Sequence, residues 1–196
     1  KGSTASKHTI FPKREMKMKR LLRLAMILSV VCFAPLVQAE EDAPGCKDHA
    51  LFNRMPRYRI NSCETKEFDT RDFPASGALD ADNKPVKVEA VEGVQTYIVY
   101  DLPGETAHAS GLQIQRNYQN AVRAAGGVVI AEYGAEDSGK QLNDEIWGAG
   151  DRATVLKLSK GGKEIWVRVH PYNSGSGYAL YISEREAMQQ AITTNE

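Results

Sequence analysis

Apolar and polar residues alternate with a period of two through much of this chain, and that pattern predicts strands. Val94–Leu102 sets Val94, Thr96, Ile98, Tyr100 and Leu102 on one face and Gln95, Tyr97 and Val99 on the other. Pro85–Glu92 places Val86, Val88 and Ala90 together, and Glu92-Gly93 between the two segments reads as a tight hairpin turn. Ala153–Lys160 and Lys163–His170 alternate as well, joined by Gly161-Gly162, a strong type I′ signal. Tyr178–Ser183 pairs next. Upstream, Arg57–Ser62 predicts a first strand and Lys66–Arg71 a weaker second, while Phe73–Lys84, rich in Pro, Gly, Ala and Asp, reads as a loop.

The period changes at Ser110–Ala125. Ile114, Tyr118, Ala121, Val122 and Ala125 recur at helical spacing, with Gln115, Arg116, Gln119 and Arg123 facing away. Ser110 and Gln113 form a capping box, and Gly126-Gly127 ends the helix. With the strand at Gly127–Tyr133 this makes Val94–Tyr133 a strand–helix–strand unit. Gly134–Asp151 is an acidic insertion, and Arg185–Ile192 a short closing helix. The expected fold is therefore α+β. It has an antiparallel or mixed sheet of about six to eight strands, one long helix packed on a face, and a short carboxy-terminal helix.

The front of the chain has another character. Lys17, Lys19, Arg20 and Arg23 precede the apolar run Leu24–Phe33, and Val37-Gln-Ala39 offers small residues at a cleavage position. We read Lys1–Glu15 as an upstream non-structural segment, residues 16–39 as a secretory signal peptide and residues 40–196 as one domain. An uncleaved membrane anchor is the alternative for Leu21–Leu36. A lipoprotein anchor on Cys32 fits less well, because no small residue adjoins the cysteine.

Export changes the reading of charge and cysteine. The full chain is neutral, but beyond Ala39 it keeps 17 Lys and Arg against 24 Asp and Glu. That acidic balance, without a basic cluster, argues against nucleic acid or anionic lipid as partner. It leaves membrane association only through an uncleaved signal or a partner. Cys46 and Cys63 are the cysteines past the signal, and an even pair in an exported chain reads as a disulfide. The competing reading is a metal site, since Cys46-Lys-Asp-His49 has ligand spacing and Cys63 offers a third donor, though no fourth is evident.

The region beyond the signal resembles the amino-terminal module that precedes the OmpA-like peptidoglycan-binding domain in some bacterial envelope proteins. Cys46–Tyr58, Cys63–Asp69, Leu112–Ala121 and Leu156–Val169 leading to Glu186-Ala-Met188 carry the resemblance, in order. It implies an envelope location, in the periplasm or at the outer membrane, and a non-catalytic interaction module. The helix that would carry an Asn-x-x-Leu-Ser-x-x-Arg motif does not follow Met188, so wall binding transfers to no residue here.

Candidate chemistry is sparse. His49, His108 and His170 are scattered, and Ser110, Ser174 and Ser176 lie in no Gly-x-Ser-x-Gly elbow, so a hydrolase of unknown substrate is the least supported reading. Glu132, Glu136, Asp137, Asp144, Glu145 and Asp151 crowd the insertion without a calcium-loop spacing. No cofactor or metal is implied. Asn173-Ser-Gly-Ser-Gly-Tyr178 resembles the Ser-Gly-x-Gly loop of periplasmic lysozyme inhibitors, making Ser174, Ser176 and Tyr178 candidate contacts for a basic partner. Trp147, Trp166 and Tyr172 are candidates for an aromatic platform. Arg57, Arg59, Tyr97 and Arg168 are candidates to line the sheet face opposite the helix. The favoured partner is an envelope protein or a cell-wall component.

Overall fold

The computed structural model describes Gly2 and residues 41–185, apart from 83, 105–106, 135–140, 143–144 and 147–151. The segments read as upstream sequence and signal peptide, Cys32, Trp147 and most carboxylates of the acidic insertion lie outside the described residues.

Among the described residues, eight strands and one long helix follow in chain order. They are β1 (Arg59–Pro74), β2 (Val88–Asp101), α1 (Gly111–Ala124), β3 (Val128–Tyr133), β4 (Gln141–Leu142), β5 (Glu145–Ile146), β6 (Ala153–Lys160), β7 (Lys163–Tyr172) and β8 (Gly177–Arg185). Six of the strands form one sheet in the order β1-β2-β8-β7-β6-β3, and every pair in it is antiparallel. The short β4 and β5 pair only with each other. The strand–helix–strand unit is present in sequence, but β2 and β3 are not neighbours. Three strands separate them, and α1 spans the sheet to connect them.

Of the antiparallel and mixed sheets expected, the sheet is the antiparallel one. Two expectations are corrected. The segments 85–92 and 94–102 are one strand, β2, and not a hairpin: β1 runs past the supposed turn and pairs along it as far as Pro74↔Val88. Gly93 sits there at φ 142°, and the Gln95 amide donates to the Val91 and Gly93 carbonyls at 3.0 and 3.3 Å, holding a kink where a turn was expected. The true turn lies within 75–87. At the other end Arg185 belongs to β8, where it pairs with Glu164. The expected closing helix thus loses its first residue to a strand, and the remainder falls outside the described residues.

Side-chain alternation builds two cores. Ile98 and Tyr100 of β2, Tyr178, Leu180 and Ile182 of β8, Ile165, Val167 and Val169 of β7, and Leu156 and Leu158 of β6 face α1. They bury its Ile114, Tyr118 and Val122. Ser110 caps the helix, accepting from Gln113 N–H at 3.1 Å. Its buried stripe also includes Gln115 and Gln119, expected to face solvent, whereas Ala121 is exposed. Gln115 Nε2 donates to the Ala153 carbonyl at 2.6 Å and to Tyr133 O at 3.3 Å, and Gln119 reaches Thr154 and Glu132, so the strands supply what water would.

A strap, residues 41–58, closes the helix-side core. The Cys46–Cys63 disulfide ties it to β1 and excludes the metal reading. Arg54 bridges Asp42 and Asp48, Asp48 accepts from the Tyr100 hydroxyl at 2.9 Å, and Met55 N–H donates to Tyr178 Oη at 3.0 Å.

The second core lies on the other face. The β1–β2 hairpin folds back across the sheet at its kink, bringing Phe73 against Trp166 (ring centroids 5.8 Å apart) and Ala75 and Leu79 against Tyr133, Ala153 and Val155. Tyr133 donates to Ser76 O at 2.6 Å and Arg185 pairs with Glu89 at 2.6 Å, pinning the folded arm at two points.

Candidate functional site

The folded arm covers only part of the face opposite α1. Where it ends, cross-strand pairing sets rows of side chains on the same face. One row contains Glu64, Tyr97, Tyr181 and Arg168. The next has Ser62, Val99, Ala179 and His170, and the last has Arg59, Asp101 and, beyond Gly177, Tyr172. Arg71 enters from above, out of the folded arm.

Tyr181 is the hub. Its ring lies 4.7 Å from that of Tyr97, with the planes tilted by 38°. The Arg168 guanidinium sits 4.0 Å from its centroid and that of Arg71 4.9 Å. Two cations against one tyrosine ring are held by its negative face, and a partly desolvated setting strengthens that attraction. Arg168 is 3 % exposed and forms the floor, whereas Arg71, Arg59, Tyr97 and Tyr172 remain half-exposed at the margin. His170 meets Tyr172 edge-on at 6.2 Å. The Tyr172 hydroxyl donates to Asp101 at 2.6 Å; burial first, then this bond to a carboxylate, holds its phenol far above the ordinary tyrosine value. The face therefore offers ring surfaces for stacking and guanidinium groups for charge-assisted hydrogen bonds.

Of the residues singled out in the sequence, Arg59, Tyr97, Arg168 and Tyr172 are brought together here. Arg57 is not: at φ 73° it turns away and donates to the Ala107 carbonyl. Ser174 and Ser176 lie in the tight β7–β8 turn. Gly175 packs against Ala109 and accepts from the Tyr58 hydroxyl, and Ser176 O accepts from Leu102 N–H at 3.0 Å. Asn173 and Ser174 are its exposed residues. Tyr178 is fully buried, stacked 4.6 Å from Tyr100, with its phenol pushed up to about 12 by burial. Trp166 is a core residue under Phe73.

Arg71, Tyr181 and His170 were not singled out as platform residues. For Tyr181 a signal existed, since it alternates with Leu180 and Ile182 toward the face that Tyr97 occupies. Nothing local marks Arg71, which arrives only because the hairpin folds back.

The three described histidines, His49, His108 and His170, are dispersed over three parts of the molecule. His49 Nε2 meets Glu184 at 3.2 Å under the strap, and Lys163 Nζ reaches the same carboxylate at 3.0 Å. Burial acts to raise the Glu184 carboxyl, but the bonds from Lys163 and His49 outweigh it and hold it below its ordinary value. His108 stands exposed before α1. Among the described residues no group of three or more metal-ligating side chains converges, and no helix is long and apolar enough to cross a membrane. Neither models of known protein families nor curated proteins match the chain.

Proposed function

We propose that this chain is a non-catalytic binding module of the bacterial envelope, exported to the periplasm, and that it engages its ligand through the sheet face opposite α1. The observation that carries the reading is the convergence of Tyr97, Tyr181, Arg71 and Arg168 where the folded arm stops. A fold this size needs no polar cluster there for stability; an apolar extension of the Phe73–Trp166 core would serve. The export signal and the envelope-module resemblance supply the compartment, and the disulfide accords with an oxidising one.

Pull-down from an outer-membrane and periplasmic fraction tests it. The full chain retains a partner or a wall fragment, and Tyr97→Ala loses it while unfolding at the same temperature. Equal retention by Tyr97→Ala and the unsubstituted chain would place the ligand elsewhere and defeat the reading.

A further inference from the structure

Strand β1 ends the sheet on one side, and every residue from Asn61 to Phe68 in it is exposed. An open edge is a row of backbone donors and acceptors that another strand can complete. The strap does so at one point: Ile60 N–H donates to Asp42 at 2.8 Å, and the Ile60 carbonyl accepts from Ala43 N–H at 2.8 Å. Those two bonds fix which residues face outward. Past the one-residue bulge at Asn61, alternation against β2 turns the N–H and carbonyl of Cys63 and Thr65 outward. Among the described residues no hydrogen bond meets those outward groups.

We infer that this edge pairs antiparallel with the same edge of a second copy of the chain, about a two-fold axis through Thr65. Outward groups must meet outward groups, so the axis passes through one residue that faces its own counterpart. Charge chooses the residue. An axis through Glu64 sets two carboxylates face to face, and one through Lys66 sets two ammonium groups. An axis through Cys63 drives the copy into the strap at Ile60. Through Thr65, Glu64 opposes Lys66 of the copy and Lys66 opposes its Glu64, two unlike pairs on one face. Lys66 bonds Asp69 at 2.7 Å within the chain, an exposed contact that leaves its ammonium further N–H donors. Phe68, 39 % exposed beside the second bulge, is brought toward Ser62 of the copy. The contact uses up the edge, so assembly closes at two copies. Opposed residues of an antiparallel pair share a face, so both copies carry α1 on one side of the joined sheet and Tyr97 on the other. A ladder this short buries less than a standard interface, and the association is weak.

Sedimentation equilibrium of the purified chain at concentrations up to about 1 mM tests this. A dimer should be present, and Glu64→Lys and Lys66→Glu should each weaken it about tenfold, because like charges then oppose twice. Only Lys66→Glu breaks the contact with Asp69, so a loss shared by both variants belongs to the interface. Mixing the two variants in equal amounts should restore association, since every opposed pair across the mixed dimer is again unlike. A folding defect would not be repaired by mixing. A chain that stays monomeric at the highest concentration overturns the inference, as does a dimer that is indifferent to both substitutions or not restored by mixing. A monomeric chain whose Thr65 amide is protected from hydrogen exchange only when envelope fraction is added overturns the second copy and assigns the edge to a foreign strand.

Discussion

Tyr178 shows how a single residue's role turns on its partners. Its hydroxyl accepts from Met55 N–H and lies 3.2 Å from the Tyr118 hydroxyl, and its ring stacks on Tyr100, so it joins the strap to the core. Tyr178→Phe keeps the ring and orphans the buried Met55 N–H. We expect a loss of about 1–3 kcal/mol in denaturant unfolding, with the fold retained. The Ser-Gly-Ser-Gly context pointed to a loop contact, yet the alternation Tyr178-Leu180-Ile182 already assigned the ring to the core face. That information was in the sequence, and the local composition masked it. Gln115 is the opposite case. Its partners are carbonyls of Tyr133 and Ala153, at either end of the insertion, so no local pattern marks it as buried. Gln115→Leu, which leaves both carbonyls without that donor, should cost about 1–3 kcal/mol by the same measurement.

Among the elements, those with a regular apolar period and a marked turn or cap were the ones written most plainly. α1 buries one side and was legible in period and ends, and β6 and β7, buried on both faces, were legible from their alternation and turn; Gly161-Gly162, both at positive φ, make the expected two-residue turn. β1 was not legible as one strand. From Asn61 to Phe68 it is exposed on both sides, so no burial alternation exists to be read, and only its ends gave a signal. The fold-back was invisible for a related reason, since Phe73, Trp166 and Tyr133 meet across about a hundred residues or fewer of intervening chain. This arm sets the border of the proposed site. Phe73→Ala empties the contact over Trp166 and should cost about 3–5 kcal/mol. If the arm holds Arg71 in place, the substitution also weakens ligand capture at temperatures where the sheet stays folded, read by binding alongside circular dichroism.

For the molecule as a whole, charge and covalent closure add to the stability that the two cores supply. Arg54 bonding holds the Asp42 carboxyl low, and Lys157 and Trp166 do the same for Glu164. Burial acts to raise Glu132 and Glu184, yet their cationic and amide partners still bring them below the usual carboxylate range. A carboxyl depressed in the folded state binds its proton more readily when unfolded. Its contribution is therefore complete above the unfolded value of about 4 and is lost as pH falls through the folded one. Unfolding midpoints should hold from neutral pH down to about 5 and drop steeply below about 4, with no comparable step on the alkaline side up to about 8. Cys46 and Cys63, 17 residues apart, close the strap onto β1, and reduction should remove about 3 kcal/mol by relaxing the unfolded chain. The comparison is denaturant unfolding with and without reductant.

The central claim, that ligand is met on the sheet face away from α1, is tested most directly by placing a photo-crosslinking amino acid at single positions of the chain expressed in cells. Position 97, on that face, should yield a crosslinked adduct, and position 120, on the solvent side of α1, should not. Adducts at 120 with none at 97 would contradict the account.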